Sequence, residues 1–277
     1  MPPHPLPSKT DALTRRYGPE AVPAAGPWND VVAHLLDHRS VRGYRSDPLP
    51  AGTLETLVAA AQSAATSSNM QTWSVVAVTD PALKAAFAQI AAKQKHIEQC
   101  PLFLVWVADL SRAERLGKAE GTPLEALPYL ETFLVASIDA ALAAQNAVVA
   151  AESFGLSTVY IGALRNDVEA VARHLALPPG SFGVFGLCVG YADPAAVSEV
   201  KPRLPQAAIL HHDRYAPRDE TVHRAVYDRA LSEFSRRHEM AQYSWTERVI
   251  TRLGKAASLQ GRDRLRGALA ALGLPLR

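Results

Sequence analysis

The chain has 277 residues, enough for one large domain or two small ones, and 48% of them are hydrophobic, enough for a substantial core. A formal net charge of +2 gives no reason to expect nucleic acid as the main partner. Its two cysteines, Cys100 and Cys188, lack a C-x-x-C spacing, which argues against a disulfide framework or a zinc site and for a reducing, cytoplasmic setting.

Residues 1–27 carry several prolines and a charged patch and read as a loose N-terminal extension; nothing in Met1 to Pro7 reads as a signal peptide. Asn29-Asp30 caps an expected helix with Val31, Val32, Leu35 and Leu36 on one face, which delivers His38-Arg39-Ser40-Val41-Arg42 into a loop. After Asp47-Pro48, Leu54, Leu57, Val58 and Ala61 stand at helical spacing, and the polar run Thr66 to Gln71 follows. Ser74 to Thr79 reads as a strand, and Asp80-Pro81 opens another helix with Asp as cap and Pro at its first position.

The unbroken apolar run Leu102 to Ala108 predicts a strand buried on both faces. An Ala-rich segment from about Leu124 to Phe154 predicts the longest helix, ended by Gly155 in a left-handed cap. Asp139 and Gln145 interrupt its apolar stretch, so it reads as a buried helix and not a membrane span. Thr158 to Ile161 predicts a strand running into Gly162, Asp167 starts a helix through Leu175, and Phe182 to Gly190 predicts the last strand. There is no internal repeat and no strong domain boundary. Helices outnumber strands and no dinucleotide-binding Gly-x-Gly-x-x-Gly turn occurs, so the expected class is α+β, a modest sheet covered by helices.

Nucleophilic and metal chemistry find little support. No Gly-x-Ser-x-Gly elbow occurs, and Cys188 in an apolar strand reads as a packed, inert thiol. His211-His212-Asp213 would point its two imidazoles to opposite faces of an extended segment, so no metal ligands are assigned. Anion binding fares better. His38 to Arg42, with Lys201 and Arg203 far downstream, offer guanidinium and ammonium donors to a phosphate. Ser67, Ser68, Asn69, Gln71 and Gln94 supply neutral hydrogen-bonding groups suited to a ring edge, and Gly162 would let a flat ligand approach the backbone.

These motifs, with Gln94-Lys95-His96, Ala144-Gln145-Asn146-Ala147, Ala151-Glu152-Ser153, Val159-Tyr160-Ile161-Gly162, Leu164-Arg165-Asn166, Phe185-Gly186-Leu187-Cys188 and Lys201-Pro202-Arg203-Leu204-Pro205, stand in a familiar order. From about Asp30 to about Tyr227 the chain resembles the oxygen-insensitive, FMN-dependent NAD(P)H nitroreductases and flavin reductases, particularly their NADPH-preferring branch. The resemblance implies a nitroreductase-like α+β fold, with a central, mostly antiparallel sheet flanked by helices, in an intertwined homodimer. The FMN-binding domain would span residues 28–240, and residues 241–277 would form a basic C-terminal arm or helix.

It also implies roles. His38, Ser40 and Arg203 would hold the FMN phosphate, with Arg39 and Lys201 supporting it and the ribityl chain. Arg42 would reach the N1/C2 edge of the isoalloxazine, where a guanidinium favours the reduced anion. Gln94 would meet the pyrimidine edge, Thr66 and Ser67 would come from the other subunit, and Tyr160, Ile161 and Gly162 would line the dimethylbenzene and N5 side. No side chain acts as nucleophile or proton shuttle; the cofactor carries the chemistry. The implied activity is ping-pong hydride transfer from NADPH (or NADH) through FMN to a small-molecule acceptor, nitroaromatic or quinone-like. A flavin reductase supplying reduced FMN and a non-catalytic flavin-binding redox sensor are the alternatives. Arg236 or Arg237 is the candidate for the 2′-phosphate of NADPH. The chain departs from the family pattern in placing Ala163 where a second glycine is usual, Thr66 at a serine position, and Asn69-Met70 in place of bulkier apolar residues.

Overall fold

The computed structural model describes residues 6–24, 26–196, 198–216, 219–241 and 243–277. These fall into two compact units, one of Ser40–Ala196 with Gln260–Arg277, the other of the described residues within 6–39 and 198–259.

The first unit is built on a four-stranded sheet of β1 (Trp73–Val78), β2 (Leu102–Asp109), β3 (Ser157–Ile161) and β4 (Ser181–Gly190), in the order β1-β2-β4-β3. Every strand pair is antiparallel. All eight residues of β2 are buried, as its unbroken apolar run predicts, because helices cover both faces of the sheet. Leu102, Leu104 and Trp106 pack with α3 (Thr53–Gln62) and α7 (Leu130–Ser153) on one face. Phe103, Val105 and Val107 pack on the other with α4 (Pro81–Ile90), α5 (His96–Gln99) and α8 (Val168–His174). Each fully buried side chain of this size contributes about 1.5–3 kcal/mol. The unit is completed by α6 (Ser111–Ala119) and by α11 (Leu265–Ala271) in the C-terminal segment.

Local chemistry sets the helix ends. Asp80 accepts hydrogen bonds from the Ala82 and Leu83 amides with Pro81 at the first position, and Asp167 accepts from Ala170. Gly155, at φ +77°, turns the chain out of α7 as expected. The start of α7 differs from the expectation by six residues. Segment 124–129, which contains Pro128, forms turns instead, and the helix begins only at Leu130. Ala140, Ala143, Ala144, Ala147 and Ala151 are buried, and their small side chains let α7 lie close on β2 and α3. Its length and composition would suffice to cross a membrane, yet this buried flank makes it a core helix of the unit.

The second unit contains α1 (Lys9–Tyr17), α2 (Asp30–Asp37), α9 (Thr221–Arg237) and α10 (Trp245–Leu253). Part of the stretch expected to be loose is thus helical: Ser8 caps α1, and Ala12, Leu13 and Arg16 are buried. Asn29 caps α2 as expected, accepting from the Val32 amide. The apolar face of α2 is not core, however; only Ala33 is buried, while Val31 and Leu35 are exposed. Tyr227, Leu231 and Phe234 of α9 form a small core with Trp245, Leu204 and Met240. A capping box between Ser244 and Glu247 begins α10.

Candidate functional site

The chain leaves α2 through His38 and Arg39, and in the same unit Lys201-Pro202-Arg203 runs alongside α1. One buried side chain brings these distant stretches together. The Arg16 guanidinium donates to the carbonyls of Leu36 (2.7 Å), His38 (2.8 Å) and Lys201 (2.8 Å). The Arg203 amide donates in return to the Arg16 carbonyl at 2.8 Å, and the Tyr227 hydroxyl to Pro202 O at 3.1 Å. His38, Lys201 and Arg203 are thereby set around one point of main chain. Arg39 is engaged by Asp37 at 2.9 Å, and the Lys201 ammonium lies 5.5 Å from the Phe234 ring centre.

In the other unit, Ser40 and Val41 lie along β3: Ser40 bridges to Thr158 in parallel, and the Val41 amide donates to Thr158 O at 3.0 Å. Buried Val41 anchors the strand-like segment while Ser40 and Arg42 remain exposed. Among the described residues no carboxylate pairs with Arg42 or with Arg203. Buried His96 opens α5, two residues after the half-buried Gln94, and its Nε2 atom has no hydrogen-bond partner among the described residues. Burial, followed by the charge of Arg42, pushes its pKa down from 6.5 to about 4.

At the end of β3 a cavity of about 360 Å³ is lined by Ala141, Gln145, Tyr160, Gly162, Arg165 and Phe185, within the range of about 300–1,000 Å³ usual for small-ligand sites. The Tyr160 ring meets Phe185 edge-on at 5.1 Å, and its hydroxyl contacts Gln145 Oε1 at 3.3 Å. Burial and then the charge of Glu152 raise the Tyr160 phenol above its ordinary value, so it stays neutral. Ile161 points into the core, leaving only its backbone available to a ligand. Ala163 lies outside the left-handed region, so its methyl group is tolerated where glycine is usual.

The polar run after α3 is strained, with Ser68, Asn69 and Gln71 at φ +48°, +55° and +52°. Asp139, 2% exposed on α7, holds it: one oxygen accepts from Thr66 Oγ1 (2.5 Å), Thr72 N (3.2 Å) and Thr72 Oγ1 (3.0 Å), and the other from Ser67 N (3.2 Å). Arg112 adds a bond to Gln71 O at 2.9 Å. Of the two arginines considered for a 2′-phosphate, Arg237 is tied to Glu199 (2.9 Å) and Glu233 (3.1 Å). Arg236 lies over the Tyr243 ring at 5.8 Å, without a carboxylate partner among the described residues.

Sequence reasoning missed Arg16, Arg165 and the holding role of Asp139. An acid in the middle of the apolar, Ala-rich stretch is a usable signal for Asp139; nothing in the sequence marks Arg16. Cys188 is fully buried beside Cys100, and burial pushes its thiol well up, while no group of metal-ligating side chains gathers among the described residues.

The chain is similar to proteins of known family over most of its length. Residues 35–191 match the Nitroreductase family, and residues 201–277 match the Nitroreductase family, C-terminal domain. The FMN reductase (NADPH) of Bacillus subtilis is 37% identical over 227 residues, covering 80% of this chain and 90% of that protein. The oxygen-insensitive NADPH nitroreductase of Salmonella typhimurium is 36% identical over 217 residues, covering 78% and 87%. The solved structure of the NfrA1 nitroreductase from B. subtilis superposes with a TM-score of 0.82 at 33% identity, over 89% of this chain and 99% of that one. With its ordered motifs, its antiparallel sheet and relatives matched over most of their length, the chain belongs to the nitroreductase family.

Proposed function

We propose that this chain is an FMN-dependent oxidoreductase that moves two electrons from NADPH, or NADH, to a nitroaromatic or quinone-like small molecule. The observation that carries the reading is the Arg16 clamp, which gathers the His38 and Lys201 main chains on one guanidinium and fixes Arg203 beside them. A phosphate monoester is the ligand such a basic gathering suits.

The residues present fit FMN. Arg42 and Arg203 are exposed guanidinium groups without carboxylate partners among the described residues, and buried His96 Nε2 lacks a hydrogen bond next to Arg42. The cleft beside Tyr160 and Phe185 presents aromatic walls and the bare backbone of Gly162 to a flat ring. In this reading His38, Ser40 and Arg203 hold the phosphate, supported by Arg39 and Lys201. Arg42 and Gln94 meet the polar ring edge, Tyr160, Ile161 and Gly162 meet the other, and Thr66 and Ser67 complete the site from a second subunit. Bound FMN supplies hydride acceptance and two-electron delivery. The protein fixes its ring and places positive charge where negative charge develops. Arg236, not the doubly paired Arg237, is the arginine left for a 2′-phosphate.

Exposed Leu130, Leu134, Ile138 and Leu142, spaced four apart on α7, support a homodimer, and the sparse cysteines support a cytoplasmic setting. A flavin reductase reading keeps the same site and is supported by the name of the B. subtilis relative. Steady-state kinetics with both nicotinamides against a nitroaromatic, a quinone and free FMN tests the proposal. Purified protein should be yellow and bleach on adding NADPH, and Arg203→Ala should weaken FMN by about 1.5–3 kcal/mol. Protein that stays colourless after incubation with FMN would refute it.

A further inference from the structure

The turn Gly162–Asn166, directly after β3, forms one wall of the cleft, and its far end is held from the C-terminal segment. Arg262 Nε donates to Asn166 Oδ1 at 2.9 Å, while Asn166 Nδ2 donates to Ile90 O at 3.1 Å. The Asn166 amide is therefore fixed at both its acceptor and its donor, between α4 and a residue 96 positions further along the chain. Gly261 permits the approach: it sits at φ +90°, and a Cβ there would stand 3.1 Å from the Asn166 carbonyl oxygen. Both Arg262 and Asn166 are half-buried, which shields the bond from competing water. Within the turn, Arg165 donates to Val184 O at 2.6 Å, and its guanidinium lies 3.2 Å from where a Gly162 Cβ would be. The turn is thus a short rigid bracket, fixed to β4 in the middle and to Arg262 at its end.

We infer that Arg262 is a positioning residue for the flavin: through Asn166 it sets where the Gly162 backbone stands against the ring. The inference rests on the proposed FMN site. It gives the C-terminal segment a part in cofactor binding that its basic composition alone does not suggest.

The test compares wild type, Arg262→Ala, Arg262→Lys, Asn166→Ala, the Arg262→Ala/Asn166→Ala double variant and Arg203→Ala. Each is titrated with FMN by flavin fluorescence, and its two-electron midpoint potential and thermal midpoint are measured. Arg262→Ala should weaken FMN roughly tenfold, as loss of a charge-assisted bond does, and should shift the midpoint potential. Arg262→Lys, which keeps charge and a donor, should fall between it and wild type, and the double variant should be no worse than the worse single. Folded Arg262→Ala protein with wild-type FMN affinity and potential would overturn the inference, as would fully additive losses in the double variant. A lowered thermal midpoint with unchanged affinity and potential would overturn it too, because the role would then be structural only. If Arg262→Ala does not fold, Arg262→Lys and Asn166→Ala decide by the same criteria. Wild type that binds no FMN would instead sink the proposed function, whereas weakening by Arg203→Ala alone would leave that function standing and remove only the role of Arg262.

Discussion

A guanidinium presents its N–H donors in a rigid fork, and Arg16 aims that fork at carbonyls from two stretches separated by more than 160 residues. Its charge is absorbed by main-chain oxygens, so it organises the basic side chains around it without competing with them for an anion. His96 works by a different balance. Burial and the neighbouring Arg42 charge both disfavour the imidazolium, so the folded protein holds this ring neutral down to about pH 4, against 6.5 for an unperturbed histidine. The unfolded chain then binds the extra proton first as pH falls. The sign follows: the stability associated with neutral His96 is complete above about pH 6.5 and is lost as pH drops through that window toward 4. Denaturant unfolding from pH 7 to 4 should therefore show a fall that His96→Gln, which cannot titrate, flattens. An unchanged slope in the variant would show that His96 does not face the environment described.

Among the elements, the strained turn after α3 depends on a single carboxylate. Asp139 accepts four hydrogen bonds from Thr66, Ser67 and Thr72, and all four donors point at oxygen. Asparagine would replace one acceptor by an NH2 group facing N–H or O–H donors. Asp139→Asn should destabilise the protein by about 2–3 kcal/mol and speed hydrogen exchange across residues 66–72. A loss below about 0.5 kcal/mol in chemical unfolding would mean that the turn holds itself. The sequence makes much of this level legible, for identifiable reasons. β2 announces itself because both faces are covered and its residues need not alternate, and α4 and α8 because Asp80 and Asp167 are local caps. The first turn of α7 and the exposed face of α2 are not legible, since apolar residues look alike whether they meet a core or an open surface. The basic half of the site can be read as charge. Its assembly by Arg16 cannot, because three long-range bonds to carbonyls leave no pattern in sequence.

At the scale of the whole molecule, α7 is apolar on both flanks for two different reasons. Its alanines pack against the sheet, while Leu130, Leu134, Ile138 and Leu142 recur every fourth residue on the outside at 44–56% exposure. Four large aliphatic side chains in a row along a helix about 36 Å long are more than scattered surface apolar residues. They suit the core of a two-fold interface, in which α7 meets the same helix of a second copy and like residues face each other across the axis. The same association would carry Thr66 and Ser67 to the partner's flavin, because Asp139, on α7 next to Ile138, holds their turn. Dimerisation and cofactor binding should then fail together. If wild type sediments as the proposed dimer at micromolar concentration, Ile138→Asp/Leu142→Asp should sediment as a monomer and bind FMN more weakly in parallel, with the sheet intact by circular dichroism. If the variant stays dimeric, α7 is not the interface; if it is monomeric with undiminished FMN affinity, each subunit holds its flavin alone and the Thr66–Ser67 turn has no part in the partner's site.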